Sequence, residues 1–182
     1  DIALFNRLAA AVVFTNSGLR DLDAVAANRL GQASLWPHSI SGDLPIVLVR
    51  VVRDDDETVV RQLVRWRTYT RRRGLKLDLV ILDERADKTA DRLVRELQSR
   101  VASEMLGKPG GVFFLTADKV GTDDAVLLAA AARAVLGGGR GSLTEQIDHR
   151  AAPRPAPPPQ LTPGAVATTP VAQPTPPPEG LR

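Results

Sequence analysis

Pro45-Ile46-Val47-Leu48-Val49-Arg50-Val51-Val52, followed at once by Arg53-Asp54-Asp55-Asp56-Glu57, sets the class of fold. The first eight residues are an apolar, β-branched run interrupted only by Arg50. A run of that length bounded by turn-forming residues predicts a strand buried on both faces, as in a parallel sheet. The acidic residues open a helix that runs to about Arg73. Its apolar stripe is Val59, Val60, Leu63, Val64 and Trp66, and Arg61, Arg65, Thr68 and Arg72 lie at helical spacing on the opposite face. Gly74 supplies the stop. The unit then repeats: a strand over 77–82, a helix over 87–105, a glycine-rich turn over 107–111, a strand over 112–115 and an Ala-rich helix over 122–136. Strands alternating with helices imply right-handed βαβ crossovers. The expected fold is therefore α/β: a three-unit βαβ parallel sheet, half-Rossmann-like.

Upstream, Leu4, Leu8, Ala11 and Val12 recur at helical spacing and predict a helix over 2–14. Asn16-Ser17-Gly18 breaks it, and a second helix is expected over 21–30 with Asp21 as its N-cap. Residues 32–45 read as an irregular approach to the first strand. After Gly137-Gly138-Gly139, Ser142-Leu143-Thr144-Glu145 has capping-box spacing for a last short helix.

Of the 14 prolines, 11 fall between Pro153 and Pro178, in a stretch with no aromatic residue and only Arg154, Glu179 and Arg182 as charges. Such a composition buries too little apolar surface to offset chain entropy, so 151–182 is expected to be a disordered, Pro-rich linker. The division that follows is a helical lead-in and loop over 1–45, an α/β layer over 46–150 and the linker. With no initiator Met and a helical pattern from Ile2 onward, the chain reads as cut from something longer. There is no cysteine, which removes disulfides, thiol catalysis and Cys-type metal sites. No stretch has the ~18 continuous apolar residues of a membrane span, so direct membrane insertion is not expected. The net charge of +3 arises from 24 basic and 21 acidic residues, a mixed surface that gives no reason to invoke nucleic acid.

Parallel sheets bind ligands at the carboxyl ends of their strands. The three loops expected there are Arg53-Asp54-Asp55-Asp56, Asp83-Glu84-Arg85 and Thr116-Ala117-Asp118-Lys119, and none is glycine-rich. The glycine cluster at 137–141 is expected to follow a helix instead of a strand, so no phosphate loop is predicted and no cofactor is expected in this segment. Asp54 to Glu57 and Asp123-Asp124 read as carboxylates favoured at helix N-termini. Asp83 and Glu84 are adjacent in an extended chain and point to opposite faces, which suits them poorly to flank one bond. Arg85 beside them suggests an ion pair. His38 and His149 are too far apart in sequence for a paired metal motif, and neither catalytic residues nor metal ligands are predicted.

Two surfaces remain. Arg61, Arg65 and Arg72 form a basic helix face suited to docking on a neighbouring domain, with Trp66 in the core. Leu35-Trp36-Pro37-His38-Ser39-Ile40-Ser41-Gly42-Asp43-Leu44-Pro45 concentrates chemistry-bearing side chains in a loop, where function often resides. Trp36, His38, Ser39 and Asp43 are its candidate ligand or interface residues. In the structural alternative, Trp36 plugs the sheet edge and Asp43 caps a turn.

That loop, with Asn28-Arg29-Leu30-Gly31-Gln32 before it and Ile46-Val47-Leu48-Val49-Arg50 after it, resembles a stretch of the cyclic β-1,2-glucan synthases. Arg73-Gly74-Leu75-Lys76-Leu77-Asp78-Leu79-Val80-Ile81-Leu82-Asp83-Glu84 is similar to a second stretch of that family, which usually has Asn where Asp83 stands. Gly110-Gly111-Val112-Phe113-Phe114-Leu115-Thr116-Ala117-Asp118 and Arg140-Gly141-Ser142-Leu143-Thr144-Glu145-Gln146 resemble two more. The resemblance implies a large, membrane-associated parent that builds and cyclises β-1,2-glucan from UDP-glucose, with a part similar to family 94 phosphorylases. It further implies a location on the cytoplasmic side of the bacterial inner membrane. The partners it implies are neighbouring carbohydrate-active domains of the same chain and, at the loop, β-1,2-glucan. No motif of the family's catalytic sites occurs here, so this segment is expected to be structural.

Overall fold

The computed structural model describes residues 2–85 and 89–148. The chain divides into two units, residues 1–152 and 153–182, and the second lies outside the described residues, as does the whole expected linker and His149. Within the first unit four parallel strands, β1 (Ile46–Val51), β2 (Asp78–Asp83), β3 (Val112–Thr116) and β4 (Ala134–Gly137), stand in the order β3-β2-β1-β4. Side chains alternate between faces, as extended backbone requires. Val47, Val49, Val51, Leu79, Ile81, Val112, Ala134 and Leu136 enter one core. Ile46, Leu48, Val80, Leu82, Phe113 and Val135 enter the other.

The first core is covered by α1 (Ile2–Val13), α3 (Asp56–Arg72), α4 (Thr89–Arg100) and α6 (Leu143–Asp148). Helix α3 delivers the predicted stripe, with Trp66 fully buried and its indole Nε1–H donating to the Phe5 carbonyl at 3.0 Å. That bond ties the N-terminal helix to the layer. The second core is covered by α2 (Leu22–Ala27), a 3-10 segment over Gln32–His38 and α5 (Thr122–Ala131). Right-handed crossovers explain the arrangement: α3 and α4 carry the chain from β1 to β2 to β3 on one face. The return to β4, beyond β1, needs α5 on the opposite face. The expected lead-in over 1–45 thus contributes to both cores.

Several bounds differ from expectation. Helix α2 stops at Ala27, with Asp21 capping it through the Ala24 amide at 2.9 Å. The helix expected to run through 105 ends at Arg100, and its expected start at Asp87 lies outside the described residues. The larger correction is β4. The Ala-rich segment expected to be one helix over 122–136 ends at Ala131, turns extended at Ala132 and pairs with β1 from Ala134. Alanine favours helix, and four strand residues are too few to display a period. The free edge of β1 overrides that preference: Arg133 N–H donates to the Ile46 carbonyl at 2.8 Å and Gly138 N–H to the Arg50 carbonyl at 2.8 Å. The sheet therefore has four strands, and the glycine cluster at 137–141 follows a strand, contrary to the expectation from sequence.

Candidate functional site

Strand order reverses between β1 and β4, the crevice where sheets of this kind hold ligands. The chain fills it with its own groups. Gly137, Gly138, Gly139 and Gly141 all have positive φ. At Gly137 (φ +75°) a Cβ would stand 2.3 Å from the Arg50 carbonyl oxygen, so only glycine fits. The amide of Gly137 donates to Gln146 Oε1 at 2.9 Å, and that of Gly139 to Asp56 Oδ1 at 3.0 Å. Asp56 Oδ2 accepts from the Val52 and Arg53 amides at 2.9 and 3.1 Å. The acidic run thus does not cap α3 in the ordinary way. Asp55, the N-cap residue, makes no side-chain cap bond, and Asp56 turns back to fasten the β1 exit to the β4 loop.

At the end of β2 the adjacent carboxylates go separate ways. Asp83 Oδ2 takes Arg85 at 2.6 Å, while Glu84 is gripped by Arg50 through two bonds of 2.7 and 2.9 Å. Arg85 also reaches Asp54 and Glu57, at 2.8 and 3.0 Å. The hydrogen bond to Asp83 pushes the Arg85 pKa upward, and that to Glu84 does the same for Arg50. Buried Glu57 also pairs with Arg61 at 2.9 Å. Arg61 in turn forks onto Glu96 at 2.9 and 2.8 Å, the first cause of its own raised pKa. Among the described residues no group of three or more His, Asp or Glu side chains could hold a metal ion.

The loop residues are dispersed. Trp36 is 63% exposed and does not plug the sheet; Leu35 and Ile40, both buried, do. Tight 3-10 geometry puts neighbours on different sides, so one of the Leu35-Trp36 pair faces inward and the smaller does. His38 Nε2 meets Asp124 Oδ2, at the start of α5, at 3.1 Å. Ser39 ends the 3-10 segment in the left-handed region, φ +63°. Asp43 Oδ1 accepts from Gln32 Nε2 at 3.0 Å, and the same amide nitrogen donates to the Ser41 carbonyl at 2.8 Å. Asp43 N–H donates to Ser41 Oγ at 3.2 Å, so the turn is closed by the Ser41 hydroxyl and not by the Asp43 carboxylate as expected. Two clasps therefore fix the loop and leave the indole outside. On the basic face, Arg65 and Arg72 are exposed, whereas Arg61 belongs to the ion-pair network.

Over 153 residues the chain is 32% identical to the cyclic beta-(1,2)-glucan synthase NdvB of Rhizobium meliloti (strain 1021), covering 81% of this chain and 5% of that protein. This chain is an NdvB-like segment. No family model matches it. Because it spans about 5% of the length of NdvB, the activity of that whole protein is not thereby placed in these residues. Among the described residues no helix is long and apolar enough to cross a membrane.

Sequence reasoning missed one cluster of this NdvB-like segment altogether. At the amino end of β2, Asp78 is fully buried and its Oδ1 accepts from the Gly110 amide at 2.6 Å. Arg67, also buried, donates from Nε to the Leu77 carbonyl at 3.1 Å and from Nη2 to the Gly110 carbonyl. Burial pushes the Asp78 carboxyl up and the Arg67 guanidinium down. Together they clamp the turn before β3. The one local signal was Arg67 lying out of line with Arg61, Arg65 and Arg72 on α3.

Proposed function

We propose that this chain is a non-catalytic structural module of a cyclic β-1,2-glucan synthase, holding carbohydrate-active domains of the same chain in register. The carboxyl edge of the sheet carries the reading. Asp83, Glu84 and Glu57 are bound to arginines and Asp56 to backbone amides, so each carboxylate is committed to holding the layer together. A general acid or base needs a free approach to its substrate proton. The similarity to NdvB supports the choice of parent. In this reading the parent lies at the cytoplasmic side of the bacterial inner membrane, uses UDP-glucose, carries a phosphorylase-like part elsewhere in its chain and presents this segment as a soluble layer. Deleting the layer from the synthase tests it: the expected result is a misassembled enzyme that makes little cyclic glucan. Normal folding together with normal cyclised product would contradict it.

A second reading is a glucan-binding accessory surface at the loop, favoured by the exposure of Trp36 on a backbone fixed by the Gln32 and His38 clasps. An indole face is a stacking platform for a sugar ring. Because Trp66 is buried, a fluorescence change on adding β-1,2-glucan would report Trp36. The change is expected to vanish in Trp36→Ala, and no response from the unsubstituted chain would end this reading.

A further inference from the structure

We propose that the groove between α3 and α4 docks an acidic, amphipathic helix presented by a neighbouring protein domain, an inference that rests on the module reading above. The groove has a volume of about 390 Å³ and is lined by Arg61, Val64, Arg65, Thr68 and Leu97. Its chemistry is mixed: aliphatic side chains from both helices, with guanidinium groups beside them.

Charge complementarity selects the occupant. Every described carboxylate of the two helices is already engaged. Asp56 holds backbone amides, Glu57 holds Arg61, Arg85 and Arg92, and Glu96 holds Arg61. Arg61 is neutralised by the same pairs. Arg65, Arg72 and Arg95 are exposed and, among the described residues, make no ion pair. Of the three, Arg65 lines the groove, so uncompensated positive charge stands beside a trough whose floor is the buried Val64 and Leu97. Arg65 and Arg72 are seven residues apart, roughly 10 Å along α3 at the helical rise. Carboxylates two turns apart on a docked helix match that separation.

Competing partners fit less well. A bilayer needs apolar side chains that project, and among the described residues the large exposed ones are Ile2, Val13, Phe14, Leu22, Val25, Trp36 and Val52, none of them on α3 or α4. Single-stranded nucleic acid is held by exposed rings that stack its bases. Here Trp66 is buried, and Tyr69 lies under the Arg73 guanidinium, 4.5 Å from it, with its hydroxyl on Asn6. A concave trough between helices receives the convex apolar ridge of a third.

The test uses the full chain and a fluorescein-labelled helical peptide with Leu along one face and Glu flanking it, beside a scrambled peptide of equal composition. Anisotropy is read at low and high NaCl. The expected result is salt-sensitive binding of the amphipathic peptide, roughly tenfold tighter than that of the scrambled one. Arg65→Glu, which reverses the charge, and Thr68→Trp, which fills the trough without changing charge, are each expected to weaken it roughly tenfold. Lys108→Glu, an equal charge change on a distant turn, is expected to leave it unaltered. Circular dichroism confirms that the variants keep their helices, and the two substitutions act independently, so either one suffices. Equal binding of both peptides, indifference to both substitutions, or binding only to phosphatidylglycerol vesicles or an RNA oligomer would overturn the proposal. Such an outcome leaves the module reading intact if the layer-deleted synthase remains defective.

Discussion

Arg67 and Asp78 show how one buried charged residue is kept by the carbonyls and amides it satisfies. Neither has a facing salt bridge among the described residues, yet both grip Gly110, one through its carbonyl and the other through its amide. Replacing Arg67 with Met fills similar space but strands the Leu77 and Gly110 carbonyls. At about 1–3 kcal/mol for each unpaired buried group, a net loss of about 2–4 kcal/mol is expected in urea unfolding. Asp78 adds a pH dependence of defined sign. Burial raises its folded-state pKa, so the folded chain holds that proton more tightly than the unfolded chain. Its contribution to stability is fullest in acid and declines as pH rises from the unfolded value near ~4 through the raised folded value. Asp78→Asn keeps an oxygen for the Gly110 amide and removes the titration. Across that window the urea midpoint of the unsubstituted chain is expected to fall relative to Asp78→Asn; a constant difference or a rising one would contradict the assignment. Residue-scale contacts were legible only where partners are close in sequence. The Asp21 cap and the Ser142–Glu145 box, closed by bonds of 2.7 and 3.3 Å, could be read directly. Asp56 with Gly139 and His38 with Asp124, 83 and 86 residues apart, could not, because nothing local marks which carboxylate meets which distant group.

At the scale of elements, the strands and helices with strong apolar periodicity were readable, and β4 was not. Residues 125–136 are nearly all good helix formers, and the signal that ends the helix is the vacant hydrogen-bonding edge of β1, which no local pattern displays. The glycines after Leu136 held the clue, since a helix needs at most one at its end whereas this loop uses four in positive φ. Gly137→Ala tests the strand assignment. Its methyl would collide with the Arg50 carbonyl in a backbone region that disfavours side chains, so a cost of about 2 kcal/mol or more is expected from thermal or urea unfolding. Hydrogen exchange gives the complementary check: the amides of Arg133 and Gly138 should be protected nearly as well as those of β1. Rapid exchange at both amides would refute the fourth strand. The capping box is a smaller device, and Ser142→Ala is expected to cost about 1 kcal/mol.

At the scale of the whole molecule, the layer spends its ligand-side edge on holding itself together and leaves its distinctive surfaces elsewhere. The switch-point crevice is closed by Asp56, the β2 exit by Arg50 and Arg85, and the exposed chemistry sits on the Trp36 loop and the arginine face of α3. The sequence resemblance pointed to the cyclic β-1,2-glucan synthases, and the similarity to NdvB agrees with it. What those surfaces touch was not legible, because no local pattern in the sequence names a docking partner. Deleting the layer separates a structural module from a dispensable one but not from a catalytic one. The sharper measurement is glucan synthesis from UDP-glucose by the full-length synthase carrying Asp83→Asn and Glu84→Gln together, with the fold checked by proteolysis. The module reading predicts activity within about twofold of the unsubstituted enzyme. A folded double variant that has lost synthesis by a hundredfold or more, the scale of a missing general acid or base, would contradict it.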